Sequence, residues 1–211
     1  MSDYINDFNR AEDLKRFVVT RISTGLQNDG VFTRTVKNSK IIWAAVNAGT
    51  ETGYFGEKLE LPVNAPGDIT VEAVCRLKRT AGVSGAYLGI GVNQSGSGIQ
   101  RPRYGVVAGV DGSGTQEWYG SNNAALTTFP GFPSMLAVQS QPSDSILSFK
   151  VVRKNGYIFL YINGFYVGQY AYATTITDVA IVNTWFFNSF GSQRTVDYLR
   201  IWPKEVVAAP V

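Results

Sequence analysis

Histidine is absent from the 211-residue sequence, and few absences exclude as much. Ser–His and Cys–His nucleophiles, imidazole general bases and nearly all catalytic zinc sites go with it. Cysteine occurs once, at Cys75, so no intramolecular disulfide can form. No apolar run approaches the ~18–20 residues a membrane helix needs, and no membrane partner is expected. The opening MSDYINDFNR has no basic start followed by an apolar run, so no secretory signal is read there. Charge is scarce too: 19 basic against 16 acidic residues leave a formal +3. The basic residues Arg76, Lys78 and Arg79, Arg101 and Arg103, and Lys150, Arg153 and Lys154 fall at strand ends or alternate strand positions. They read as solvated faces, not as a nucleic-acid footprint. Helical periodicity is confined to Asn9–Val18, which predicts one turn or a short helix.

What is present is alternation with a period of two. The stretch Asp68–Arg79 places Ile69, Val71, Ala73, Cys75 and Leu77 on one side, with Cys75 as a small core residue. Further strands are predicted at 31–36, 40–46, 86–93, 103–111, 116–120, 146–154, 179–187 and 194–203, with loops at 93–103 and 126–135. The stretch RKNGYIFLYINGFYVGQY carries Asn155-Gly156 and Asn163-Gly164, two dipeptides suited to type I′ hairpin turns. It predicts a three-strand meander over 148–154, 157–162 and 165–170. About a dozen short strands, with turn signals every 8–12 residues, argue a two-sheet all-β sandwich. A 45% share of hydrophobic residues is ample for its core. The segments YINDFNRA and TVDYLRIWP are expected to pair as first and last strands. One domain is expected over 1–203, with 204–211 a C-terminal tail.

The combination of NDFNRA (6–11), VVRKNGYIFLYINGFYVG (151–168) and VDYLRIW (196–202) resembles the laminin-G-like, concanavalin A-like jelly rolls. The opening Asp-Phe-Asn-Arg-Ala is similar to forms met in phage structural proteins and in bacterial carbohydrate-associated domains. The resemblance implies an antiparallel jelly-roll sandwich. It leaves function open among lectins, glycoside hydrolases, adhesion modules and virion proteins.

The hydrolase branch, typified by laminarinase-like glucanases, requires two carboxylates on one strand face, ~5–5.5 Å apart in retaining enzymes. Glu57 with Glu60, and Asp68 with Glu72, lack that spacing. Glu117 stands alone beside Trp118 and Tyr119. No enzymatic activity and no catalytic residue are expected. Calcium, held structurally in many such modules, would fall to Asp7 and Asp197 on the first and last strands; otherwise no cofactor is expected. Asp111-Gly112 reads as a hairpin turn.

Sugars stack on aromatic rings while polar groups fix their hydroxyls. The candidate glycan site is Gln116, Trp118, Tyr119 and Asn122, with Tyr104 as a further platform and Asn123 alongside. Trp118 and Tyr119 are adjacent, so only one can face the core. Trp43, Trp185 and Trp202 are assigned to the core. Phe129 and Phe132, between prolines, are candidate protein contacts.

Lack of a secretion signal and of disulfides suits a virion protein made in the host cytoplasm and released by lysis, and the start Met1-Ser2-Asp3 reads as native. The expected role is therefore that of a phage virion-surface protein: a capsid decoration, head-fibre or tail-associated module. Its partners would be other virion proteins, further copies of itself in a homo-oligomer, and host-surface glycans. A stand-alone bacterial carbohydrate-binding module, acting extracellularly, is the alternative.

Overall fold

A computed structural model describes residues 4–24, 32–45, 54–78, 86–93, 102–110, 116–122, 125–127, 144–186 and 193–202. The strands are β1 (Tyr4–Asn6), β2 (Val18–Thr24), β3 (Phe32–Lys37), β4 (Lys40–Ala45), β5 (Tyr54–Ala65), β6 (Ile69–Lys78), β7 (Ala86–Val92) and β8 (Tyr104–Val110). They continue with β9 (Gln116–Asn122), β10 (Ala125–Thr127), β11 (Asp144–Lys154), β12 (Tyr157–Ile162), β13 (Phe165–Ala171), β14 (Ile176–Phe186) and β15 (Gln193–Trp202). All pairings are antiparallel. One sheet runs β13-β12-β11-β6-β15-β4-β3, with β1 also on β15; the other runs β10-β9-β8-β7-β14-β5-β2. The predicted all-β sandwich is what forms.

The meander is β11–β12–β13, closed by Asn155 and Asn163 at φ 50° with Gly156 at 77° and Gly164 at 78°. Positive φ at both central positions is the type I′ geometry that matches strand twist. Asn163 also ties its turn to β11, exchanging bonds of 2.7 and 2.8 Å with the backbone of Ser148. A third such turn, Asn38-Ser39 with φ 52° and 57°, joins β3 to β4 without a glycine.

The predicted pairing of first and last strands forms as β1 on β15, with Asn6 opposite Leu199. After Asn6 the chain folds inward: Phe8 adopts φ 49° and is fully buried. Asn6 fixes that bend, accepting from Phe8 N–H at 2.9 Å and donating to the Asp13 carbonyl at 2.9 Å. The expected short helix is a single 3-10 turn, Ala11–Leu14, whose start is tied by Arg10 N–H to the Asp13 carboxylate at 2.9 Å.

Alternation fills the space between the sheets. Ile69, Val71, Ala73 and Cys75 of β6, Leu147, Phe149 and Val151 of β11, and Ile158, Leu160 and Ile162 of β12 meet Leu59, Ile90, Val106 and Ile181 of the second sheet in one core. Burial also holds the Cys75 thiol well above its usual range.

Four readings are corrected. Strands β2 and β5 form where none was expected, and β10 occupies 125–127, partly inside a predicted loop. The β5 sequence YFGEKLELPVNA hides its period behind Gly56, Pro62 and three charges, yet Glu57, Lys58 and Glu60 are all buried. Arg153 is not on a solvated face: it is buried, donating to the carbonyls of Pro66 (2.7 Å), Gly67 (2.5 Å) and Ala173 (3.1 Å). Trp202 is half-buried outside the core, whereas Trp43 is fully buried in it. The side chain of Trp185 and residues 203–211 lie outside the described set.

Candidate functional site

The second sheet has little open surface along its middle. Lys58, Glu60, Tyr87, Val107, Ala180, Val182 and Thr184 face away from the core yet are buried. Lys58 and Glu60 pair there at 3.0 Å, and one Glu60 oxygen has no partner. Pro102 packs over Gly89 and Gly91, where an added Cβ would sit 2.6 and 2.7 Å from its ring. Glu57, three residues before Glu60, turns to the opposite side, into the sandwich. Its carboxylate accepts from Trp43 Nε1 at 2.9 Å and pairs with Arg34 at 2.7 Å, beside the fully buried Asn183. Glu57 and Glu60 therefore cannot act on one substrate atom from a common face.

The sequence-predicted glycan residues are only partly brought together. Tyr104 and Asn122 are cross-strand partners, and Gln116 stands opposite Val110. Trp118 stands opposite the core residue Ala108, while Tyr119 stands opposite Val107 on the other side of the sheet. Of positions 116–119 and 122 only the backbone is described; Asn123, Phe129 and Phe132 lie outside the described residues.

Tyr104 is no open platform. Its ring lies 4.6 Å from Tyr172 and 6.0 Å from Tyr170, and the Arg103 guanidinium sits 5.5 Å over it. Tyr170 donates to the Ser121 carbonyl at 3.1 Å, and Asn93 donates to the Tyr172 hydroxyl and to the Thr175 carbonyl. Burial pushes the phenols of Tyr170 and Tyr172 above their ordinary range. This cluster closes the gap between β8 and β13.

Of the predicted metal pair, Asp197 is already engaged. Asp7 is exposed just past β1, and Asp197 lies 3.6 Å from Lys40 and accepts from the Thr195 hydroxyl at 3.3 Å. Among the described residues no three His, Cys, Asp or Glu side chains gather around a point. Calcium takes 6–8 oxygens, and these two carboxylates do not by themselves assemble that set.

Among the described residues an open aromatic strip lies elsewhere, on the outer face of the first sheet, and sequence reasoning missed it. Because Ile158, Leu160 and Ile162 point inward, Tyr157, Phe159 and Tyr161 must point out. Tyr157 is 45% exposed, and its ring is 6.4 Å from Phe159. A bulge between Leu160 and Tyr161 sets Tyr161 opposite Tyr166, their rings edge to face at 5.8 Å. Tyr166 is 49% exposed, and Phe165 at the turn 66%. Rows of the sheet extend this strip sideways: Tyr166, Tyr161, Lys150, Glu72, Arg200 in one, and Gln169, Phe159, Val152, Thr70, Trp202 in the next, where Val152 and Thr70 are themselves buried. Arg200 lies 4.1 Å over the Tyr198 ring. The result is a ladder of half-open aromatic rings flanked by amide, ammonium and carboxylate groups. That is chemistry suited to the apolar faces and hydroxyl rims of sugars.

No protein-family model and no curated protein matches the chain. Solved structures do. The CBM2 module of the evolved Dit of Lactobacillus casei BL23 phage J-1 superposes with a TM-score of 0.62 at 9% identity, over 95% of each chain. A structure reported with the endo-acting O-glycanases that human gut microbiota express to initiate mucin breakdown gives 0.60 at 16% identity, over 96% of this chain and 99% of that one. The potassium-bound carbohydrate recognition domain of Emp46p gives 0.54 at 8% identity, over 95% and 96%. At these identities the likeness fixes the fold, a concanavalin A-like jelly roll, as the sequence resemblance implied.

Proposed function

We propose that this protein is a non-catalytic glycan-binding jelly roll displayed on a phage virion. The aromatic ladder Tyr157–Phe159–Tyr161, with Tyr166 beside it, is the observation that carries the reading. Three rings at alternate positions of one strand repeat every ~6.6–6.8 Å, a regular track for successive sugar units. The divergence of Glu57 and Glu60 supports binding without turnover, although glycanases share the fold. The phage Dit module supports the virion setting, where the protein would attach to other virion proteins as an oligomer and hold host-surface glycan.

The test is a glycan array followed by titration of the best ligand into the wild type and Tyr157→Ala/Tyr161→Ala. Each ring contributes about 0.5–1.5 kcal/mol of stacking, so the double variant should bind about tenfold more weakly or worse, with unchanged circular dichroism. A wild type that binds no glycan, or a variant that binds as well, refutes the assignment. Detection of the protein in purified particles tests the virion setting, and light scattering tests the oligomer.

A further inference from the structure

We propose that Asn155 is a site of spontaneous deamidation and that Asn163, in the same kind of turn, is protected from it. The sequence has two Asn-Gly dipeptides, both at hairpin tips of the meander. The reaction is intramolecular, so proximity governs its rate. The main-chain nitrogen of the glycine attacks the asparagine Cγ and gives its proton to solvent, while Nδ2 takes up a proton and leaves as ammonia. Water then opens the cyclic imide. Addition at Cγ gives aspartate; addition at the main-chain carbonyl gives isoaspartate, with the chain running through Cβ and Cγ. Asparagine and water become acid and ammonia, and no oxidant or cofactor enters.

Glycine opens the way for the attack, because it places no Cβ beside the attacking nitrogen. At both Gly156 and Gly164 the space around a would-be Cβ is empty within 4 Å. Gly156 uses its carbonyl, which accepts from Tyr172 N–H at 2.6 Å, and its own N–H has no partner among the described residues. The two carboxamides differ. Asn163 Oδ1 accepts from Ser148 N–H at 2.7 Å, and Asn163 N–H donates to the Ser148 carbonyl at 2.8 Å, so side chain and main chain are both held to β11. Its Cγ must give up the first of these bonds to reach the Gly164 nitrogen. Asn155 is exposed and is tied through its main chain, whose N–H donates to the Asp68 carboxylate at 3.1 Å. Its carboxamide has no partner among the described residues. Asn38 stands in a similar turn, but there the next residue is Ser39, whose Cβ obstructs the nitrogen.

Conversion alters the hairpin. Either product puts a carboxylate at position 155, next to the Asp68 carboxylate that holds this residue's N–H. Isoaspartate also adds a main-chain atom to a two-residue turn whose geometry matches strand twist. Tyr157 follows at once, opposite Lys154 and Ala171.

The test needs only the wild-type protein. Freshly purified protein is held at neutral pH and body temperature, folded in one arm and unfolded in guanidinium chloride in the other. Peptide mass spectrometry with fragment-ion assignment then follows aspartate and isoaspartate at 155 and 163 separately over weeks. In the folded arm Asn155 should convert, and Asn163 should lag about threefold to tenfold, as the loss of one hydrogen bond before attack implies. In denaturant the two rates should converge, because Lys-Asn-Gly-Tyr and Ile-Asn-Gly-Phe offer the same reaction once the turns are open.

Three outcomes overturn the proposal. Conversion of Asn163 as fast as Asn155 in the folded protein shows that the bonds to Ser148 do not protect it. A folded protein in which neither converts, while both do in denaturant, shows that the hairpin holds Asn155 as firmly as Asn163. The same excess of Asn155 in both arms places the difference in the flanking residues and not in the fold.

Discussion

Replacing Arg153 by Met should loosen the sandwich at one end by about 3 kcal/mol. The guanidinium joins two connections that share no other described bond: Pro66-Gly67, between β5 and β6, and Ala173, between β13 and β14. Hydrogen bonds from a charged donor contribute ~1.5–3 kcal/mol each, which summed over three would reach several kcal/mol more. Two opposing effects reduce the sum. Pro66, Gly67 and Ala173 are exposed, so their carbonyls regain water when the donor is removed. The buried guanidinium has also lost its own hydration, and its Nε has no partner. Methionine keeps the apolar stem and removes only the head. Urea unfolding followed by tryptophan fluorescence should then show the midpoint lower by about 1–1.5 M, for a slope of ~2–3 kcal/mol/M. In thermal melts the shift should be ~6–12 °C for a chain of this size. Arg153→Lys should recover only part, because a single ammonium cannot span three carbonyls as the planar fork does. A midpoint for Arg153→Met within about 0.3 M of wild type would refute the view of Arg153 as a clamp.

Two further tests concern groups hidden from solvent. Glu57→Leu strands the Trp43 indole N–H and the Arg34 guanidinium; it should cost about 3 kcal/mol in urea unfolding, and Glu57→Gln, which still accepts from Trp43, should cost less. Equal losses in both variants would show that the charge on Glu57, not its hydrogen bond to Trp43, is what matters. Tyr170, raised by burial, is protonated in the folded state at pH values where the unfolded chain ionises. Its contribution is whole below the unfolded pKa of about 10 and declines as pH rises above it. Urea midpoints should therefore fall less between neutral and alkaline pH in Tyr170→Phe than in wild type, and parallel falls would remove Tyr170 from the account.

The sequence was legible where local chemistry dictated local geometry. Asn-Gly at 155–156 and 163–164 could hardly be anything but turns, and the alternation of Asp68–Arg79 could face only one way. It was opaque where both faces of a strand are apolar. In YIFLYI the inward Ile158, Leu160 and Ile162 alternate with the outward rings of Tyr157, Phe159 and Tyr161, which also count as apolar, so a two-class apolar/polar pattern does not say which set is covered. The available signal was side-chain type: aliphatic residues on one parity, aromatic rings on the other, two of the three with a hydroxyl group. Strand β5 failed for the opposite reason. Its charges are buried because Trp43 and Arg34 meet Glu57 across the sandwich and Lys58 neutralises Glu60, partnerships that a linear reading cannot foresee.

The strand order has a consequence for how the molecule is made. β14 lies between β5 and β7, and β15 between β6 on one side and β4 and β1 on the other, so each sheet is joined through its middle by a strand that follows all its partners in sequence. Hairpins such as β7–β8–β9 and β11–β12–β13 can close early, over short loops. Pairing Leu59 with Ile181, or Val71 with Ile201, must wait for long-range closure. Until residues 176–202 have emerged from the ribosome, β5, β6 and β7 each keep an unpaired edge, open to association with other nascent chains. Late zipping thus has to outpace association through those edges, and added chaperone during synthesis should raise the soluble yield.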